Sequence, residues 1–425
     1  MKKKVIIIFS ISLVILLIIE LASWLILNNN INYQFTGPIF NRELSVFYVY
    51  RNNPGFEHRT IKNNEKEANI IIDQYGFITD SEISKQKPEN CIRIFLTGGS
   101  AAFGSGQAQP YNTIKEYPRG IYSFESSIAG NIQKLLQEKF PKKNIEVINA
   151  CSSGRKINQS IMMYLSLIKD FSPNIIISID GMNDLQVING YSPFKIDENY
   201  VFNKYQQLND LNQNLIAKSL FSTLELIKFT KFKLSQNKTN TQVTKNADNL
   251  LNYNPNKITK DIYISMKPEL VENCNSFTDL IIYYNALCKV DSVDFIFCIQ
   301  PLLYRNINKN LSEVEIKMKN SVKPINISLS QPEMEKTLIE KSELMGDLTL
   351  RYFFDDYLSD KIKPISETYN FKFIDFNKEI VDIESDKEFY VDYCHLTPKA
   401  NQIVAEIICQ EIVKVLTENT SVKSE

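Results

Sequence analysis

Five short apolar runs constrain most strongly what this chain can fold into. They are Ile92–Leu96, Ile145–Asn149, Ile175–Asp180, Val293–Ile299 and Phe371–Phe376. A half-exposed strand alternates apolar and polar residues, whereas near-continuous apolar runs suit parallel strands covered on both faces. Between them, Ser127–Phe140, Gln159–Phe171, Thr278–Cys288 and Pro398–Leu416 carry apolar residues at helical spacing. Strands alternating with helices predict an α/β domain, doubly wound around a parallel sheet of about five strands.

In such sheets ligands bind at the carboxyl ends of the strands. The first run ends at Gly98-Gly99-Ser100, followed by Ala101-Ala102-Phe103-Gly104. Glycines let the backbone turn sharply and let a substrate approach closely. Taken alone, this is also an ordinary Gly-Ser turn. The second run leads into Cys151-Ser152-Ser153-Gly154, and the third into Gly181-Met182-Asn183-Asp184. A bare N–H from Gly154 and a side-chain amide from Asn183, converging beside Ser100, would stabilise a tetrahedral oxyanion. Each segment alone is also common turn chemistry.

Scarcity sharpens the reading, because the chain has only two histidines, His58 and His395. His58 lies in a polar stretch with no motif around it. His395 lies in Asp392-Tyr393-Cys394-His395-Leu396-Thr397-Pro398, just before the last helical pattern. Thr397 is suited to cap that helix, with Pro398 at its first position. A serine hydroxyl is a weak nucleophile until a base takes its proton. Histidine does that near neutral pH. A carboxylate three residues earlier can fix the imidazole tautomer and stabilise the imidazolium. Without Ser100, the same residues read as a capping turn.

Taken in chain order, these blocks resemble the SGNH or GDSL-type hydrolases, which are marked by Ser, Gly, Asn and His in that sequence. The resemblance covers about 92–416 and also touches Asp73-Gln74-Tyr75-Gly76-Phe77, which is similar to the lead-in of membrane-anchored bacterial members. It implies a flavodoxin-like sheet with helices on both faces and serine-dependent acyl chemistry. By position, Ser100 is then the nucleophile, His395 the base and Asp392 the residue orienting it. The Ser100 N–H, the Gly154 N–H and the Asn183 amide form the implied oxyanion hole. Gly99 stands where the family often has Asp in Gly-Asp-Ser, and the long segment between the third and fourth runs is unmatched.

Other chemistries fit poorly. The α/β-hydrolase elbow needs G-x-S-x-G, but Ala102 occupies the last glycine position. No Gly-Lys-Ser/Thr phosphate loop occurs. Gly104-Ser105-Gly106 begins a dinucleotide fingerprint that Gln109 breaks. The seven cysteines include no CxxC pair, so neither a zinc site nor any cofactor is expected. Most of them suit buried positions, although an exported chain with this many could carry a disulfide. Net charge is −1, with no basic stripe, which argues against nucleic acid as a partner.

The remainder sets location and organisation. Lys2, Lys3 and Lys4 precede an apolar run, Val5–Leu27, broken by the single charge Glu20. About 20 apolar residues span a bilayer, and the lysines predict a cytoplasmic start. Leu21-Ala22-Ser23 leads into Trp24 and further apolar residues rather than a cleavage site, so an uncleaved anchor is preferred to a signal peptide. The expected order is a cytoplasmic start at 1–4, an anchor at 5–27, a stalk and lead-in at 28–89 and the hydrolase-like domain at 90–420. Two insertions interrupt that domain, at about 190–270 and 306–355. The first holds an amphipathic stretch, Leu215–Phe229, expected to be a helix over the site, and a polar Gln236–Asn246 expected to be mobile. The second is expected to contain helices. With this location, the resemblance implies a membrane-anchored, outward-facing serine esterase acting on acyl esters of a glycan or lipid. Rival readings are an acyltransferase with the same triad and a non-catalytic binding or assembly protein that keeps the fold.

Overall fold

The computed structural model describes residues 17–23, 25, 42–45, 49–52, 57–62, 65–106, 121–184, 260–303, 310–321, 347–380, 388–392 and 394–422. Leu215–Phe229, Gln236–Asn246 and most of the expected anchor lie outside them. Of the anchor, residues 17–23 and 25 are helical. Among the described residues no helix is long and apolar enough to cross a membrane. The chain divides into two compact units, Met1–Leu44 with Asn199–Tyr253, and Ser45–Glu198 with Asn254–Glu425. The second unit contains everything that follows.

Its centre is a five-stranded sheet of Cys91–Gly98, Asn144–Asn149, Ile175–Asp180, Asp294–Ile299 and Lys372–Asp375. In spatial order the second strand comes first, followed by the first, third, fourth and fifth. Every neighbouring pair is parallel. This is the flavodoxin-like order, and its switch point lies where the chain reverses direction across the sheet, at the first and third strands. All six residues of the third strand are buried, Ser178 and Asp180 included, as a parallel strand covered on both faces requires. Arg93 is the exception within the first run. It is fully buried, and its guanidinium donates from Nε to Glu146 Oε2 at 2.7 Å and from one terminal nitrogen to the Phe171 carbonyl at 2.8 Å.

Helices flank the sheet in two groups. Ile128–Lys139 packs on the second strand and on Pro398–Val422. Lys260–Val290 packs on the fourth strand, on Asp347–Tyr369 and on Ile157–Ser166. The expected helix over Gln159–Phe171 is two pieces. Leu167 leaves helical dihedrals at φ −145°, and a 3-10 turn, Ile168–Phe171, follows. The expected Thr278–Cys288 helix is the end of a much longer one. Among the described residues of the second insertion, Glu313–Ser321 and the start of Asp347–Tyr369 are helical.

The lead-in differs from a stalk. An antiparallel hairpin, Glu57–Lys62 with Glu65–Ile71, runs directly into the core. Ile72 and Phe77 have no exposed surface, and Ile78 forms an antiparallel bridge with Asn149 at the end of the second strand. Phe77 stacks edge-on against Phe95 at 5.4 Å and Phe171 at 5.5 Å. Burying such a side chain contributes about 1.5–3 kcal/mol. Asp73 Oδ1 accepts the Tyr75 and Phe77 N–H groups, each at 2.8 Å, and so shapes the turn that delivers Phe77. Within the mostly polar 28–89, the sequence itself marks Ala68–Ile72 as a short strand followed by a turn at Tyr75-Gly76, and the strand Glu65–Ile71 with its turn stands there. The seven cysteines are all buried and form no disulfide.

Candidate active site

Ser100 opens a four-residue helix, Ser100–Phe103, immediately after the first strand. The turn needs Gly98, whose φ is +144° and whose Cβ, if present, would collide with the Ile179 carbonyl. Gly104, at φ +85°, closes the helix in the left-handed region. Ser100 is half-buried, and its N–H is one of the orphan donors at a helix start.

Backbone bonds carry the second loop past the end of its strand, from Ala150 N–H to the Leu96 carbonyl at 2.9 Å and from Ser152 N–H to the Gly98 carbonyl at 3.1 Å. Gly154, at φ +75°, lies in the turn that the Arg155 N–H closes onto the Ser152 carbonyl. The lead-in reaches this loop as well. The buried Asn52 amide donates to the Cys151 and Gly76 carbonyls, each at 2.9 Å.

The third loop turns at Gly181, φ +127°. Asn183 Nδ2 donates to the Arg155 carbonyl at 3.0 Å, which ties it to the residue after Gly154. An amide nitrogen carries two N–H groups, and among the described residues the Arg155 carbonyl takes one of them. Asp184 joins the two loops from below. Its Oδ1 accepts the Ile157 N–H at 3.0 Å and its Oδ2 the Gly181 N–H at 3.2 Å. Burial pushes its carboxyl up to about 6. Neighbouring Asp180 is also pushed well above the usual carboxylate range, by burial and then by the charge of Asp184. Its Oδ2 accepts from Ser178 Oγ at 2.5 Å.

The last loop is a narrow bridge. Tyr390 pairs with Leu396, the Val391 N–H bonds the His395 carbonyl, and the Thr397 N–H bonds the Phe389 carbonyl, both at 2.9 Å. Thr397 Oγ1 accepts the Ala400 N–H at 3.2 Å, capping the last helix as its sequence suggested. Asp392 and His395 sit at the tip. Asp392 Oδ1 accepts the N–H groups of Cys394 at 2.9 Å and His395 at 2.8 Å. Its Oδ2 lies 2.7 Å from His395 Nδ1, and His395 Nε2 lies 2.8 Å from Ser100 Oγ.

These contacts assign the tautomer. An ionised carboxylate only accepts, so Nδ1 carries the proton and Nε2 offers its lone pair to the serine hydroxyl. Burial alone would push the imidazole down, but Cys394 and Asp392 more than reverse this and hold it well above its ordinary 6.5. Burial likewise opposes ionisation of Asp392. The His395 charge, its hydrogen bond and the two backbone donors outweigh it and hold the carboxyl below the usual range.

The structure therefore brings Ser100, His395 and Asp392 into one hydrogen-bonded line and sets Asn183 beside Gly99, with Gly154 one residue from the carbonyl that Asn183 binds. His58 lies in the hairpin, opposite Ile70. Among the described residues, Asp392, Cys394 and His395 are the one group with metal-ligating side chains gathered closely enough to share an ion. Nδ1 and both carboxylate oxygens are already engaged there, an arrangement suited to moving a proton. The supporting roles of Asp184 and Asn52 escape a sequence reading. Asp184 directly follows Asn183, which is its one local signal, while Asn52 has none.

No family model matches the chain, and no curated protein matches it. Among solved structures it is similar to an acetyl xylan esterase, with 11% identity and a TM-score of 0.34, covering 76% of this chain and 100% of that one. A catalytic mutant of an acetylxylan esterase from Geobacillus stearothermophilus matches with 11% identity and a TM-score of 0.34, covering 76% and 94%. A GDSL-like lipase from Bacteroides thetaiotaomicron matches with 11% identity and a TM-score of 0.33, covering 78% and 93%.

Proposed function

We propose that this chain is a serine esterase of the SGNH type, held to a membrane by residues 5–27 with its catalytic domain outside the cytoplasm. The observation that carries the chemistry is the line from Asp392 through His395 to Ser100, with hydrogen bonds of 2.7 Å and 2.8 Å. His395 Nε2 takes the hydroxyl proton as Ser100 Oγ forms a bond to the acyl carbonyl carbon. The carbonyl π electrons move onto oxygen, where the N–H groups of Ser100 and Gly154 and the second Asn183 N–H receive the charge. Collapse of this intermediate breaks the bond to the alcohol, which leaves with the proton from Nε2. Water, deprotonated by the same nitrogen, then releases the acid and regenerates Ser100. Esters on glycans or lipids suit an outward-facing, membrane-held enzyme.

A fluorophosphonate probe tests this directly. The wild-type chain should be labelled on Ser100, and Ser100→Ala should neither label nor release acyl groups from an artificial ester. Full ester hydrolysis by Ser100→Ala would overturn the reading. Acyl release measured with and without a sugar acceptor separates hydrolysis from transfer. Protease added outside the inner membrane should reach the domain; protection until that membrane is lysed would count against the location.

A further inference from the structure

We propose that Glu315, from the insertion between the fourth and fifth strands, is a positioning residue for His395. The inference rests on the esterase reading above. Glu315 has no exposed surface. It stands at the third position of Glu313–Ser321, with Ser312 before the helix. The Glu315 N–H donates to Ser312 Oγ at 3.2 Å, and Glu315 Oε2 accepts the Ser312 N–H at 2.9 Å. This reciprocal pair is a capping box. A capping box is complete with one carboxylate oxygen and can sit at the surface.

The second oxygen does something else. Glu315 Oε1 accepts the N–H groups of Phe389 at 2.7 Å and Tyr390 at 3.0 Å. Those residues form one arm of the narrow bridge that presents Asp392 and His395. The other arm is held by neutral groups, with Tyr122 Oη donating to the Leu396 carbonyl at 3.0 Å and Gln300 Nε2 to the Cys394 carbonyl at 3.3 Å. Glu315 thus supplies a charged, doubly accepting grip on the arm whose Val391 N–H binds the His395 carbonyl. Hydrogen bonds to an ionised acceptor are about twice as strong as neutral ones. The insertion is therefore part of the frame that sets the imidazole against Ser100.

The test uses the full chain, with active sites titrated by the fluorophosphonate so that kcat is counted per competent molecule. Glu315→Gln keeps the shape but turns one acceptor into an NH2 that faces an N–H donor. It should lower kcat about tenfold to a hundredfold, as small misplacements of reacting groups do, with KM little changed. Ser312→Ala leaves the carboxylate in place and should give a smaller loss in the same direction, which keeps the test alive if Glu315→Gln does not fold. An activity-independent readout is the downfield proton resonance of His395 Nδ1, identified by its loss in His395→Ala. It should shift or broaden in Glu315→Gln. An unchanged resonance with unchanged kcat per titrated site would overturn the proposal. So would a loss that appears only as fewer competent molecules, since that is a fold-stabilising role. A wild-type chain inert toward esters whose resonance still moves in Glu315→Gln would sink the esterase reading and support the positioning role.

Discussion

The side-chain nitrogen of Asn183 fills the space that a Cβ on Gly99 would need. A side chain on the residue before Ser100 and the Asn183 amide therefore compete for one volume. This gives a physical reason for glycine at that place in this chain. It also predicts that Gly99→Ala disables the site without touching the triad. Pushing the Asn183 amide aside should cost roughly 10²–10³ in kcat, the usual loss for one oxyanion donor, and Asn183→Ala should cost a similar factor. Because the two changes remove the same interaction, the double variant should be little worse than either alone. Additive losses would show that Gly99 acts through something other than Asn183.

In the proposed mechanism the elevated imidazole of His395 sets the acid limb of the pH profile. The base must be neutral to accept the serine proton, and the folded chain holds it protonated to a pH well above 6.5. Activity should therefore rise as pH increases through that folded value. The ion pair with Asp392 acts in the opposite sense on stability. Its contribution is fully present below the unfolded histidine value and is lost as pH rises through the folded one. Asp392→Asn should move the acid limb down and lower kcat on the order of 10⁴-fold by favouring the wrong tautomer. An acid limb at or below 6.5 in the wild-type chain would contradict the charge arrangement.

The difference between what was legible and what was not follows burial by backbone or by side chain. Apolar runs such as Ile175–Asp180 announce a parallel strand because both faces are covered, and the switch to helical spacing separates one strand from the next. Ser100, Asn183, Asp392 and His395 could be picked out because each follows such a run or precedes a helix, and because histidine is scarce. Residues that act through backbone groups left no such trace. Asn52 bonds carbonyls of Gly76 and Cys151, distant in sequence, so nothing near it marks its role. Ser312-x-x-Glu315 does carry the capping-box pattern, but the second oxygen's partners, Phe389 and Tyr390, are fixed only by the fold. Phe77 sits in a polar stretch and became core because Phe95 and Phe171 surround it.

Asp184 bonds the Gly181 and Ile157 N–H groups at once and so holds in register the two loops that carry Gly154 and Asn183, the proposed oxyanion donors. Asp184→Ala leaves two buried N–H groups without their acceptor, and each such loss costs about 1–3 kcal/mol. Chemical denaturation should show a drop of about that size or somewhat more. Its pH dependence has a definite sign. Burial raises the carboxyl from 3.8 to about 6, so the folded state binds the proton more tightly than the unfolded state. Stability from this group is greatest below 3.8 and declines as pH rises toward about 6. Asp180 titrates beside it and is raised as well, so the comparison belongs in an Asp180→Asn background, where Asp184→Asn should flatten the decline. Catalysis should follow the loops. In Asp184→Ala, kcat should fall while labelling of Ser100 persists at a reduced rate, because the triad's own bonds do not pass through Asp184. Stability that climbs with pH across that window in the Asp180→Asn protein, or a kcat per labelled site untouched by Asp184→Ala, would show that the two loops are held in register by something else.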